Sequence, residues 1–155
     1  MKARASTIGD LEVVFGGLSQ RLSQEYKSAG LGTREIQDNL TMNLKEGRAH
    51  TLLDGDDVVA VIAWHEADDA AHTIFAAREA FFSAGSVRFC KRHIRRIQAL
   101  SGDVPIRHRS WIDQPEVARW FNVIGFIESG SNGKSTTFEL PRPSAKGHRS
   151  GVHRA

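Results

Sequence analysis

Apolar positions recur along the chain in two periods, and the alternation of those periods predicts the elements. A short strand is expected over residues 2–6. Thr7 and Asp10 then have the spacing of a capping box, with Asp in place of the usual Glu or Gln. Leu11, Val14, Phe15, Leu18 and Leu22 follow at helical spacing and predict a helix over residues 8–27. Gly16 and Gly17 interrupt it, at about 1 kcal/mol each relative to Ala, and mark a kink or break. Residues 29–32, Ala-Gly-Leu-Gly, end the helix. A second helix, capped by Thr33, is predicted to about residue 46, with Ile36, Leu40 and Leu44 on one face.

The period then changes to that of strands. Residues 50–53 and 58–65 flank Asp54-Gly55-Asp56-Asp57, a strong hairpin signal. Residues 58–64 are almost continuously apolar, as expected of a central strand covered on both faces. Further strands are predicted over 72–77, 106–112, 126–128 and 136–140, with 129–134 as a turn. Helices are predicted over 86–100 and 115–124, the second with Pro at its first turn. The order is strand, two helices, three strands, helix, strand, helix, two strands. It predicts an α/β fold, with a mixed central sheet flanked by helices in a single domain over residues 1–140.

Composition narrows the class. The chain has 155 residues, 40% hydrophobic and 25% charged, enough to bury one core without staples. One cysteine, Cys90, leaves no disulfide framework and no multi-cysteine zinc site. No apolar run approaches the roughly 18 residues of a membrane span, and the first residues lack a signal peptide's apolar stretch. A cytoplasmic protein with no membrane partner is expected.

Charge changes the picture by its position. The net charge is +3, but residues 1–77 carry 7 basic against 12 acidic side chains and residues 78–155 carry 14 against 6. A basic second half points to an anionic partner or to a solvated basic surface. Arg88, Lys91, Arg92, Arg95 and Arg96 fall at i, i+3, i+4, i+7 and i+8, on one face of the predicted helix. Val87, Cys90, Ile94 and Ile97 lie opposite and should pack on the sheet. That stripe could reach a cofactor's phosphates, contact nucleic acid non-specifically, or dock on an acidic protein. Trp64, Trp111 and Trp120 sit in apolar patterns and are expected in the core. Residues 141–155 hold four basic residues and no acid, and are expected to be disordered without a partner.

The segment 114–126, Gln-Pro-Glu-Val-Ala-Arg-Trp-Phe-Asn-Val-Ile-Gly-Phe, resembles the last helix and Gly-Phe corner of the GNAT N-acetyltransferase family. The element order over residues 1–140 resembles that family too. Thr73-Ile-Phe-Ala-Ala, the basic helix after it and residues 107–126 are similar to GNAT-like proteins of short-tailed phages, some of them internal virion proteins.

The resemblance implies an acetyl-coenzyme A (acetyl-CoA) site at Ser83, Ala84, Gly85, Ser86 and Val87, where a helix N-terminus would hold the pyrophosphate. Gln114 would stand for the family's Asn near the last helix. The loop departs from the family pattern, with Phe82 in place of Gln or Arg and Val87 in place of a small residue. Phe121 falls where the family often has a Tyr as general acid, so that seat has no hydroxyl. The chain's only Tyr, Tyr26, is expected to serve packing or surface.

Candidate bases for the acceptor amine are His65, Glu66, His72, Glu79 and His108, for which no mutual geometry is fixed. The spacing of the histidines matches no metal motif, and no metal is expected. Two functions remain open at this point. One is an acetyl-CoA-dependent N-acyltransferase with an eroded cofactor loop, acting on an amine acceptor. The other is a non-catalytic phage virion or assembly protein, in the virion or host cytoplasm, binding virion proteins or nucleic acid by its basic face.

Overall fold

The run of apolar residues near position 60 lies at the middle of the molecule. The computed structural model describes residues 1–84, 87–112 and 114–144. β1 (Lys2–Ala5), β2 (Ala49–Asp54), β3 (Asp57–Ala67), β4 (Ala70–Ala77), β5 (Ile106–Ser110), β6 (Ile127–Ser131) and β7 (Thr136–Leu140) form a seven-stranded sheet. Its order is β1-β2-β3-β4-β5-β7-β6. Every neighbouring pair is antiparallel except β4 with β5. The helices are α1 (Ile8–Gly16), α2 (Gln20–Ser28), α3 (Thr33–Lys45), α4 (Glu79–Ala84), α5 (Val87–Leu100) and α6 (Pro115–Val123). This is a single α/β domain with a mixed sheet.

Side-chain alternation along β2 shows that both faces are covered. Thr51 hydrogen-bonds Asp10 of α1, while its neighbour His50 pairs with His93 of α5. β3 lies between β2 and β4, and Val59, Ala60 and Val61 are all fully buried. The hairpin before it pairs Asp54 with Asp57 across a two-residue turn, in which Gly55 takes a φ of 63°. β6, by contrast, is an edge strand exposed along its length. Its pairing with β7 carries it to Ser131, into residues read from the sequence as a turn, because an exposed edge has no apolar alternation to mark it.

The long helix predicted over residues 8–27 is two helices. Leu18 bridges Arg78, and the Ser19 N–H donates to the Ala77 carbonyl at 2.8 Å. Those pairings with the end of β4 remove the two residues from any helix. Ser19 then caps α2 through the Leu22 N–H at 3.2 Å. α4, six residues long, was not predicted, because so short a segment shows no period. β5 ends at Ser110, two residues earlier than expected.

The buried face of α5 also differs from expectation. Cys90, Ile94 and Ile97 are buried, but Val87 is 42% exposed. Val87 is the first residue of α5 and lies at the margin of the buried arc. Two polar residues complete that face. His93 pairs with His50 at 2.9 Å, and the Gln98 amide donates to the Val104 and Pro141 carbonyls at 3.0 and 2.9 Å. These hydrogen bonds give both buried side chains partners inside the fold. Of the three tryptophans, only Trp64 is a core residue; Trp111 and Trp120 are half-buried. Among the described residues no helix is long and apolar enough to cross a membrane.

Candidate functional site

The one parallel pair of the sheet, β4 with β5, has a short ladder. It has two registered pairs, Ala71 with Ile106 and His72 with Arg107. Beyond them the strands part, and β5 continues its pairing on the other side with β7 as far as Ser110. The parted length of β4 therefore presents backbone groups toward the gap. The Tyr26 hydroxyl donates to one of these, the Phe75 carbonyl. The phenol is buried.

The gap opens into a cavity of about 330 Å³. Its walls come from α2 (Arg21, Leu22, Glu25), β4 (Phe75), α4 (Phe81, Phe82), β5 (His108, Ser110), Ile112, and α6 (Glu116, Val117, Trp120, Phe121). The walls are mainly apolar, with five Phe and Trp rings and a few polar groups among them, which is the usual character of a small-molecule site. Phe121 stacks on Phe138 and on His108, with ring centroids 4.5 and 5.1 Å apart. Phe121 thus presents a ring and no hydroxyl to the cavity. The Arg21 guanidinium lies over the Phe82 ring, 4.4 Å from its centroid.

Two titratable groups in these walls are perturbed. The Trp111 N–H donates to Glu25 Oε1 at 3.0 Å, while Oε2 is buried with no hydrogen-bond partner among the described residues. An unserved buried acceptor costs roughly 1–3 kcal/mol. Burial raises the Glu25 carboxyl pKa, opposed first by the Trp111 backbone N–H and then by the nearby Ser110 hydroxyl and Ile112 backbone. His108 Nδ1 is 2.9 Å from Thr73 Oγ1. Burial pushes its pKa down to about 4, with the contact to Thr73 opposing, so the ring is neutral at pH 7.

The residues singled out from the sequence are scattered. Gly85 and Ser86 lie outside the described residues. Ser83 is on α4, exposed, with its hydroxyl donating to the Ala80 carbonyl at 3.2 Å. Ala84 ends α4 and Val87 begins α5. Gln114 is the residue before α6, exposed, and lines a separate pocket toward β6 and β7. Arg88, Lys91, Arg92, Arg95 and Arg96 are exposed together on α5, and among the described residues none forms an ion pair. Arg95 instead donates to Gln98 and to the Pro141 carbonyl.

Of the candidate bases, only His108 reaches the cavity. Glu66 pairs with Arg48 at 3.3 Å, His65 stacks on His72 at the end of the β3–β4 hairpin, and Glu79 is exposed on α4. Glu25 and Arg21 were not anticipated. Their one signal in the sequence is that they are four residues apart, on one face of a helix that also carries Leu22. Among the described residues no three His, Cys, Asp or Glu side chains group as a metal site.

No protein-family model and no curated protein matches the sequence. Solved structures match the fold. The PaiA N-acetyltransferase of Thermoplasma acidophilum, in complex with coenzyme A (CoA), superposes with a TM-score of 0.66 at 11% identity, over 92% of this chain and 98% of that one. The GNAT domain of S. lividans PAT gives 0.69 at 15% identity over 88% of both chains. A variant of the Vibrio cholerae spermidine N-acetyltransferase SpeG gives 0.66 at 14% identity, over 97% and 99%. The chain therefore has the GNAT acetyltransferase fold. Nothing in these matches assigns it to a phage.

Proposed function

We propose that this GNAT-fold protein transfers an acyl group from a CoA thioester to an amine in the gap between β4 and β5. The observation that carries this reading is the parting of those strands after two pairs, with an aromatic-walled cavity in the opening. An extended ligand with amide groups can pair with the parted backbone of β4, beside the Phe75 carbonyl that Tyr26 occupies, much as an added strand does. The pantetheine arm of CoA is such a ligand. Its pyrophosphate would go to Ser83, Ala84, Gly85, Ser86 and Val87 ahead of α5, where helix-terminal N–H groups favour an anion. The basic face of α5 adds positive charge to the same helix. Gln114 lines the neighbouring pocket, outside the cavity this reading uses.

The chemistry asks little of a general acid. A thiol has a pKa of about 8.5, so the thiolate that leaves an acyl donor can take its proton from water. Phe121 in place of a hydroxyl is compatible with turnover on that ground. The neutral ring of His108 puts no positive charge beside an incoming ammonium.

Donor binding is the direct test. At a hundredfold excess over Kd, acetyl-CoA or its desulfo analogue adds about 2.7 kcal/mol of stability. For a chain of this size the melting temperature should rise on the order of 5–10 °C. Gly85→Glu, which sets a carboxylate where the pyrophosphate is placed, should abolish the rise. No rise in the native chain at millimolar ligand overturns the reading.

The basic face of α5, which forms no ion pair among the described residues, supports a second reading, a non-catalytic virion or assembly protein that binds nucleic acid or an acidic protein. It predicts salt-sensitive binding to duplex DNA or to an acidic polypeptide, with no donor shift.

A further inference from the structure

Glu25 stands in a wall shared by two cavities, of about 330 and 200 Å³. Its Oε1 accepts from the backbone N–H of Trp111, and its Oε2 is buried with no hydrogen-bond partner among the described residues. A carboxylate offers about four acceptor positions, and an ammonium brings three donors. The larger cavity's remaining charges are those of Glu116 and Arg21. With His108 neutral, two carboxylates and one guanidinium leave the lining one negative charge, which suits one ammonium. Arg21, held over Phe82, repels a second ammonium further along the same molecule. The rings of Phe82 and Trp120 suit an apolar body.

We propose that Glu25 binds the acceptor amine through Oε2, and that the cavity selects a monoamine on an apolar body, such as an arylethylamine, over a polyamine. This rests on the acyl-transfer reading above. In the step it serves, the ammonium gives one proton to the Glu25 carboxylate. The freed nitrogen lone pair attacks the thioester carbonyl carbon. A C–N bond forms and the C–S bond breaks, its electron pair leaving on sulfur as thiolate. The second proton lost from nitrogen goes through water to that thiolate, and Glu25 returns its proton to solvent. The raised pKa of Glu25 makes it a readier acceptor than a surface glutamate.

The test uses the full chain, with 2-phenylethylamine and spermidine as probes. Glu25→Gln keeps an oxygen for the Trp111 N–H and removes the charge. Calorimetric titration of 2-phenylethylamine, with and without desulfo-CoA, should show binding to the native chain. It should weaken by about 30-fold or more in Glu25→Gln, the size of a lost charge-assisted contact. The donor's thermal shift should be unchanged, and CoA thiol release should fall by about a hundredfold. Spermidine should bind the native chain about tenfold or more weaker than 2-phenylethylamine, and Arg21→Glu, an exposed substitution, should close that difference.

Equal amine binding by native and Glu25→Gln chains overturns the proposal, as does no amine binding by the native chain. Tighter binding of spermidine than of 2-phenylethylamine by the native chain, or an unchanged ratio in Arg21→Glu, overturns the selectivity. Amine binding that depends on Glu25 without any donor shift would sustain the amine site and overturn the acyl-transfer reading alone.

Discussion

Single side chains tie the layers of this fold together, and Asp10 shows how. It accepts from Arg4 of β1 at 2.6 and 3.0 Å, from Thr51 of β2 at 2.7 Å and from the Thr7 N–H at 2.8 Å. Burial alone would raise its pKa, but these hydrogen bonds outweigh it and hold the carboxyl down at about 2. A depressed carboxyl pKa stabilises the fold above the unfolded value of 3.8, and that stability is lost as pH falls toward 2. It amounts to about 2 kcal/mol. Asp10→Asn should lower stability at pH 7 by about that much and make the variant less sensitive between pH 4 and 2. Urea unfolding at pH 7 and pH 3 measures both effects. An unchanged acid limb would show that Arg4 and Thr51 find other partners. The capping box behind this residue was legible in the sequence as Thr7-x-x-Asp10. The reach to Arg4 and Thr51 was not, since it depends on strand pairing.

Among the elements, what the sequence disclosed depended on burial. β3 was visible because covering on both faces imposes an apolar run, and α3 because one buried stripe imposes a helical period. β6 was largely hidden because an exposed edge imposes nothing. The α1–α2 boundary shows a further limit: its two glycines announced a break, but only the pairing of residues 18 and 19 with the end of β4 decided it. Ser19→Ala should cost about 1 kcal/mol by removing the cap of α2, read as a drop in melting temperature. At the other end of the chain, Gly125 has a φ of 109°, and a Cβ there would come within 3.2 Å of Leu140 Cδ1. The Gly-Phe corner seen in the sequence is thus a backbone requirement. Gly125→Ala should destabilise by more than about 1 kcal/mol in the same measurement. The exposed stripe of α5 should behave oppositely: Arg92→Glu with Arg96→Glu should leave stability within about 0.5 kcal/mol. Loss of folding in that double variant would mean the stripe is a packed face.

For the whole molecule, the fold was more legible than the site. Element order follows from local periods, and it sufficed for an α/β domain with a mixed sheet. The cavity joins α2, β4, β5 and α6, segments separated by up to about a hundred positions. Its key residue, Glu25, sits in a helix whose polar face looks ordinary. Only the parting of two strands makes that face a wall. The same assembly sets the acid sensitivity of the protein. His108 in the cavity and His93 on the buried face of α5 both have pKa values pushed down to about 4 by burial, against 6.5 when unfolded. His50 and Arg96 add to the effect at His93. Between pH 6.5 and 4 the unfolded chain binds protons that the folded chain refuses, so stability is full above pH 6.5 and falls as pH drops through that window. For His108 alone the loss is on the order of 3 kcal/mol. That is a large part of the roughly 5–15 kcal/mol typical of a domain. The melting temperature should therefore fall by about 6–12 °C or more between pH 7 and pH 4, with most of the Asp10 loss still to come at lower pH. His108→Gln, which cannot take up the proton in either state, should remove about that much of the slope. A native melting temperature that stays flat down to pH 4 would mean that both rings are as open to water in the folded chain as in the unfolded one.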